Sequence, residues 1–277
     1  MININFLYWN ANNNNISSYI VDACVENSIN ILILTEHQNI DTNYLIRKLK
    51  ENNLFFKVEK IDPHSRILLL HNTKGQLNII RESKYYSTFN IRDKEEQYLI
   101  FALHLPSKYA QERSDLNMYT SQILREFEQI EEERKTEKSL VVGDFNMNPF
   151  DDGMVSALGF NAVMCPTIAK KRSRKVLYED RRFYYNPMWH LMGNYSNACK
   201  GTFYYSTATK SYYWYTYDQV LIRPDLIDKF NIKHLKILDS INENSLVNKN
   251  NLPDKKMISD HFPIKFKIEL EVTKNNE

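Results

Sequence analysis

An α/β fold is predicted for this 277-residue chain by three observations. The first fifty residues read strand, helix, strand, helix, which is how an α/β domain opens. The rest of the chain supplies many short apolar strands and one long helical stretch. Several strands end on a polar or charged residue (Asn10, Glu36, His104, Asp144), and α/β proteins place ligands at the rim of a sheet.

Residues 2–8 alternate apolar and polar side chains, the period-2 signal of a strand. The polar loop 12–15 can cap a helix. Ile16, Tyr19, Ile20, Ala23 and Cys24 recur at spacings of three and four and give that helix, an amphipathic one. Residues 31–34 form a buried strand, and a helix is expected over about 43–51. Short strands, joined by hairpins, are expected at 55–61, 66–71, 77–81 and 98–105. A long helix, charged on one face, spans roughly 111–135, and a buried strand comes next at 140–143. After Pro149, Asp151 or Asp152 can cap a short helix reaching Leu158. Further strands are expected at 202–205, 212–217, 219–222, 232–238 and 264–270. The polar stretch 242–254 reads as a mobile loop.

Hydrophobic content of 43% is enough for a substantial core. A net charge of +2 sets up no global field for a polyanionic partner, so any such affinity is local. Residues 170–182 carry seven positive and two negative side chains, a local +5 that leaves −3 elsewhere. Three cysteines without a CxxC spacing argue against a disulfide framework or a structural zinc site and fit a reducing compartment. The N-terminus shows no basic and apolar leader pattern, and no apolar run approaches the length of a membrane span. A cytoplasmic protein is expected. Without a Pro/Gly/Ser linker or a repeat, one domain over 1–270 is expected, with a basic and aromatic insertion at about 165–215 and a tail at 271–277.

Ser139-Leu-Val-Val-Gly-Asp-Phe-Asn146 is the most informative segment. Asp144 and Asn146 stand two apart at the end of a buried strand, and in extended chain i and i+2 share a face. An acceptor and an amide so placed can orient a water and hold a phosphoryl oxygen. Gly-Asp also opens ordinary turns. Around it stand Tyr8-Trp9-Asn10, Leu34-Thr35-Glu36, Leu103-His104-Leu105, Tyr217-Asp218-Gln219 and Ser259-Asp260-His261, each at a strand end or beside a strand. In this order, from residue 2 to about 270, the series resembles the endonuclease/exonuclease/phosphatase (DNase I-like) superfamily.

The resemblance implies a four-layer sandwich, two packed mixed β-sheets flanked by helices. It implies a divalent-metal-dependent phosphodiesterase, foremost a nuclease acting on DNA or RNA by water attack on phosphorus. The alternative is a phosphatase or phosphodiesterase acting on a small-molecule or lipid phosphate ester. Asn10, Glu36 and Asp260 are the implied ligands of Mg²⁺ or Mn²⁺. Asp144 is implied to orient or deprotonate the water, Asn146 to hold a phosphoryl oxygen, His261 to contact the phosphate and Asp218 to pair with His261. His104 matches the deoxyribonuclease, sphingomyelinase and phosphatase branches; the AP-endonuclease branch has tyrosine there. The glutamate that partners this histidine in pancreatic deoxyribonuclease is replaced by His64-Ser65. Arg113 stands where related sequences carry a substrate-facing arginine, though it also reads as helix-surface charge.

The basic run Lys170, Lys171, Arg172, Arg174 and Lys175, with the aromatic residues downstream of it, is what a nucleic acid attracts: phosphate neutralisation and stacking. It reads equally as a solvated loop beside a packed aromatic insertion. Nucleic acid is expected as substrate; the sequence identifies no protein partner.

Overall fold

The computed structural model describes residues 2–59, 65–73, 76–93, 96–107, 113–193, 200–207 and 211–270. In chain order the first half holds β1 (Ile2–Asn10), α1 (Ser17–Glu26), β2 (Ile31–Thr35), α2 (Thr42–Glu51), β3 (Lys57–Glu59), β4 (Ile67–His71), β5 (Gln76–Glu82), β6 (Tyr86–Asp93), β7 (Glu96–His104), α3 (Arg113–Arg134) and β8 (Ser139–Asp144). The second half holds α4 (Asp152–Val155), β9 (Ala162–Val163), α5 (Pro166–Ala169), β10 (Ser173–Val176), β11 (Glu179–Arg182), β12 (Tyr184–Tyr185), β13 (Phe203–Tyr205), β14 (Tyr213–Tyr215), β15 (Asp218–Ile222), β16 (Lys236–Ile237), β17 (Ser240–Ile241), β18 (Asn244–Ser245) and β19 (Ile264–Leu270).

Two mixed sheets form the centre. One has the order β16-β19-β1-β2-β4-β3, the other β5-β6-β7-β8-β15-β12-β9. Strand alternation sorts the side chains into layers. Ile4, Phe6 and Tyr8 of β1 face the second sheet and pack with Phe89, Ile100, Val142 and Val220. Leu7 and Trp9, one residue out of phase, pack outward with Ile20, Cys24, Leu45 and Leu49 of α1 and α2. On the opposite outer face, Leu99, Phe101 and Val141 meet Leu116, Ile123, Phe127 and Ile130 of α3. The expected four-layer α/β sandwich is the observed one. Both faces of its central strands are buried, so β8 is buried along its whole length. Among the described residues, no helix is long and apolar enough to cross a membrane.

Several elements differ from the sequence reading. β6 is unforeseen, because three of its buried positions are Ser87, Thr88 and Asn90, which mask the apolar alternation. The strand expected at 232–238 is instead a 3₁₀ turn over Ile232–His234, succeeded by the two-residue β16. The Asn231 side chain accepts from Lys233 N (3.1 Å) and starts that turn. The helix after Pro149 stops at Val155, and the Asp151 carboxylate accepts from Asn148 N (3.0 Å) instead of capping it. The 242–254 stretch contains part of the β17–β18 hairpin, anchored by buried Ile241 and Leu246. The basic run is an ordered hairpin, β10 paired antiparallel with β11.

Candidate active site

The site forms where strand ends of the two sheets face each other. β7 and β8 run parallel with His104 opposite Asp144, and β15 runs antiparallel with Asp218 opposite Asp144. Three chemically active residues therefore stand in one row across three adjacent strands. From the other sheet, β1 and β2 run parallel and end with Asn10 opposite Thr35, with Glu36 next in the chain. β1 lies against both β8 and β15, which brings the two rows together.

Gly143 permits this arrangement. A Cβ at that position would stand 1.9 Å from the Leu103 carbonyl oxygen, so any side chain would push β7 and β8 apart just before the site. Past Asp144 the chain turns, with Asn146 at φ 49°. The Asp144 Oδ1 accepts from Asn146 N (2.8 Å), and Asn146 Nδ2 donates to Leu105 O (2.9 Å). The two side chains are thus neighbours through a turn, not through the extended chain that their spacing suggests. Glu36 at φ 46° is a non-glycine residue held in the left-handed region, which costs of order 1 kcal/mol or more and clusters at functional sites.

Asn10 Nδ2 donates to both Glu36 Oε1 and Asp144 Oδ2, each at 3.2 Å. His104 Nε2 lies 3.5 Å from Glu36 Oε1 and 3.9 Å from Asp144 Oδ2. His261 Nδ1 meets Asp218 Oδ2 at 2.8 Å, leaving its Nε2 3.9 Å from Asp144 Oδ2. Asp260 lies beside it and pairs with the exposed Lys255 at 3.1 Å. His104 therefore faces Glu36; His64, in the place of its expected glutamate partner, lies outside the described residues.

Sequence reasoning missed the groups that hold these residues in place. Ser259 Oγ donates to Asn10 O (2.7 Å) and accepts from His261 N (3.0 Å). Trp9 Nε1 donates to His261 O (2.9 Å). Thr202 Oγ1 accepts from Tyr217 N and Asp218 N, both at 3.1 Å, while its carbonyl accepts from Phe262 N. The Phe203 ring then lies 4.7 Å from the His261 ring. Ser259 and Trp9 stand inside the recognised motifs; Thr202 carries no sequence signal.

The environment separates the charge states. Burial opposes ionisation of Glu36, but hydrogen bonding and charge from His104, with the Asn10 amide, outweigh it and hold the pKa at about 2. Burial pushes the Asp144 carboxyl up to about 6; Asp218 adds to this, and His261 and His104 oppose it. Burial also opposes charge on His261, yet Asp218, by charge and hydrogen bond, raises its pKa to about 10. The site thus favours a cationic His261, held so by Asp218 and by Asp144 beside it, next to a carboxyl that burial makes more basic than usual.

The donor chemistry fits a divalent cation. Glu36 is one-third exposed and ionised; the Asn10 amide oxygen accepts from Asn12 N (3.0 Å), and the Asp260 carboxylate pairs with Lys255. Mg²⁺ is served by one or two carboxylates with waters. Donor atoms of Asp144, Asp218 and His261 also lie within 4.8 Å of one another. Asp218 Oδ1 is buried with no hydrogen-bond partner among the described residues. However, the Asp218–His261 bond already uses one nitrogen and one oxygen of that group.

The remaining expected residues lie elsewhere. Arg113 opens α3, but its side chain lies outside the described residues. Lys170 and Arg172 of the basic run are at the other end of the sandwich. Arg172 binds Asp225 (2.5 Å) and Glu137 (2.7 Å), and Lys170 binds Asp228 (2.5 Å). Arg174 Nε donates to Asn161 Oδ1 (2.8 Å); Lys171 and Lys175 are exposed. Glu137 precedes β8 and Asp225 comes after β15, so both sit at the strand ends opposite Asp144 and Asp218. The length of β8 puts that end roughly 17 Å away. Among the described residues, Lys170, Arg172 and Arg174 are bonded to groups outside the candidate site.

No protein-family model matches the sequence, and no curated protein matches it. Solved structures do match in fold. The endonuclease domain of TRAS1, a telomere-specific non-LTR retrotransposon, superposes with a TM-score of 0.55 at 11% identity, covering 97% of this chain and 99% of that one. D. rerio TDP2 in complex with a single-strand DNA product gives 0.55 at 14% identity, covering 98% and 100%. An endonuclease/exonuclease/phosphatase family protein from Leptotrichia buccalis gives 0.52 at 11% identity, covering 96% and 100%. The chain carries the fold of the endonuclease/exonuclease/phosphatase proteins, the DNase I-like sandwich.

Proposed function

We propose that this protein is a divalent-metal-dependent phosphodiesterase that hydrolyses nucleic acid by attack of water on phosphorus. One observation carries the reading. The Asp218–His261 pair, Asp144, Asn10, Glu36 and His104 converge at one rim from separate strands of both sheets. The DNA product bound by a protein of the same fold supports nucleic acid as the substrate class.

The charge states divide the work. Asp144, made more basic than usual by burial, accepts the proton of an attacking water, as a general base must from within hydrogen-bond reach. Its Oδ1 is fixed by Asn146 N, so the carboxylate does not rotate away. His261 is cationic, and its Nε2–H donates to a phosphoryl oxygen as charge develops there. Asp218 keeps the imidazole in that protonation state and orientation. Asn146 contributes the amide hydrogen not used on Leu105. Glu36, Asn10 and Asp260 would hold Mg²⁺ or Mn²⁺, which supplies Lewis-acid stabilisation of the phosphoryl charge.

The test is a cleavage screen with single- and double-stranded DNA, RNA and nucleotide monoesters, with and without Mg²⁺. Turnover is expected to fall to background in excess chelator and to return with Mg²⁺ or Mn²⁺. Full turnover by protein shown to be metal-free sinks the metal-dependent mechanism.

The location of the basic run favours a second reading, hydrolysis of a small or lipid phosphate ester, because its ion pairs are made with the protein's own acids. Serine at Lys170, Lys171, Arg172, Arg174 and Lys175 tests whether the run takes part in nucleic-acid binding. Each exposed pair contributes about 0–1 kcal/mol, so a small loss of stability is expected. Phosphate contacts would make nucleic-acid affinity fall with salt in proportion to their number. With Lys170 and Arg172 at the far end, the salt slope is expected to stay unchanged. A flattened slope would return these residues to the nucleic-acid surface.

A further inference from the structure

A cavity of about 210 Å³ is walled by Leu116, Met147, Phe150 and Tyr212. Asn117, Asp151 and Asp152 complete its lining. Two features tie it to the site. Met147 is the residue directly after Asn146 in the chain. A continuous series of ring contacts also runs from Tyr212 through Tyr215, Tyr217 and Phe203 to His261, with centroid spacings of 5.9, 5.0, 5.4 and 4.7 Å.

The cavity selects its occupant by size and charge. It is smaller than the ~300–1,000 Å³ of drug-sized sites, so it takes one ring system. Phe150 and Tyr212 meet edge to face at 5.5 Å, and both are partly exposed. They therefore offer aromatic surface that no side chain among the described residues covers fully. The two aspartates make the lining hostile to a second phosphate, while their oxygens and the Asn117 amide accept and donate hydrogen bonds. The Asp151 carboxylate already accepts from Asn148 N, which leaves Asp152, exposed, as the freer acceptor.

We propose that this cavity is a subsite for one nucleobase of the bound strand, stacked on one of the rings of Phe150 and Tyr212 with the edge of the other against it, and with its amino edge toward Asp152. The assignment rests on the nucleic-acid reading above and deepens it. Bases with an exocyclic amino group bind there in preference to uracil or thymine, which lack that donor.

The experiment compares, in Mg²⁺, oligonucleotides with and without a base at each position around the cleaved bond. For the wild-type protein, removing the base at one position is expected to lower kcat/KM roughly 5- to 150-fold, the range that base–aromatic stacking supplies. In Phe150→Ala and Tyr212→Ala this ratio collapses toward one, whereas Phe150→Tyr and Tyr212→Phe keep it. Asp152→Asn narrows the preference for amino-bearing bases. If base removal has no effect at any position, or the alanine variants keep the ratio, the subsite is wrong while the nuclease reading stands. If no oligonucleotide is cleaved and only small esters are, both fall together.

Discussion

Asp144→Asn is expected to lower turnover at least about 10²-fold with the fold intact, the usual scale of a general base. The substitution is isosteric and keeps an oxygen for Asn146 N, so what it removes is the charge and the proton acceptor. His261 demands a more careful choice. Its motif suggests an open rim, but His261 is nearly buried and Asp218 fully so. His261→Ala strands a buried carboxylate, and breaking a buried pair by deleting one partner costs about 3–5 kcal/mol. His261→Gln retains a neutral donor and is the fairer test. Its turnover is also expected to fall at least about 10²-fold, since the cationic donor to the phosphoryl oxygen is lost. Circular dichroism and a melting curve establish folding, and single-turnover kinetics measure the chemical step. A folded His261→Gln protein at wild-type rate contradicts the assignment.

The candidate site is largely legible because its residues sit in short motifs at strand ends. Apolar runs such as 31–34 and 140–143 announce central strands, and the polar residue that interrupts each run marks the rim. What the sequence cannot show is partnership across long separations. Nothing local says that Arg172 meets Asp225 and Glu137, so a residue engaged by the protein's own acids reads as part of a substrate surface. The same limit hides Thr202, whose hydroxyl accepts from two backbone amides beside Asp218. Local periodicity fails at β6, where buried Ser87, Thr88 and Asn90 gain their backbone partners by strand pairing on both sides. It fails again at 232–238, where a side-chain cap at Asn231 turns an apolar stretch into 3₁₀ geometry. For Asp144 and Asn146 the spacing gives the right neighbours for the wrong reason, since a turn rather than extended chain brings them together.

The largest stability effect is expected at the end of the sandwich away from the site. Arg223 and Glu131 are both fully buried there, joined by two bonds of 2.9 Å, Nε to Oε1 and Nη2 to Oε2. Arg223 also donates to Phe183 O (3.2 Å), and its guanidinium lies 3.9 Å from the centre of the Tyr184 ring. Glu131 in turn accepts from Ser139 Oγ at the start of β8. The pair thus locks α3, β8 and the segment after β15 to one another. Arg223→Met leaves the Glu131 carboxylate buried with less compensation, an effect of about 3–5 kcal/mol for such pairs. Arg182 stands 3.4 Å from Glu131 and can take up part of the charge, which places the expected loss near the lower figure. Against a total stability of about 5–15 kcal/mol for ordinary domains, that is a large fraction. The double variant Arg223→Met with Glu131→Leu removes both charges and is expected to recover much of the loss, because a well-packed apolar replacement is often neutral or stabilising. Urea unfolding of the wild type, both single variants and the double variant measures the coupling directly. The folded fraction of Arg223→Met should keep its rate constant, since Asp144 and Asp218 lie at the other ends of β8 and β15. Equal stability in Arg223→Met and wild type would show that the pair contributes nothing net.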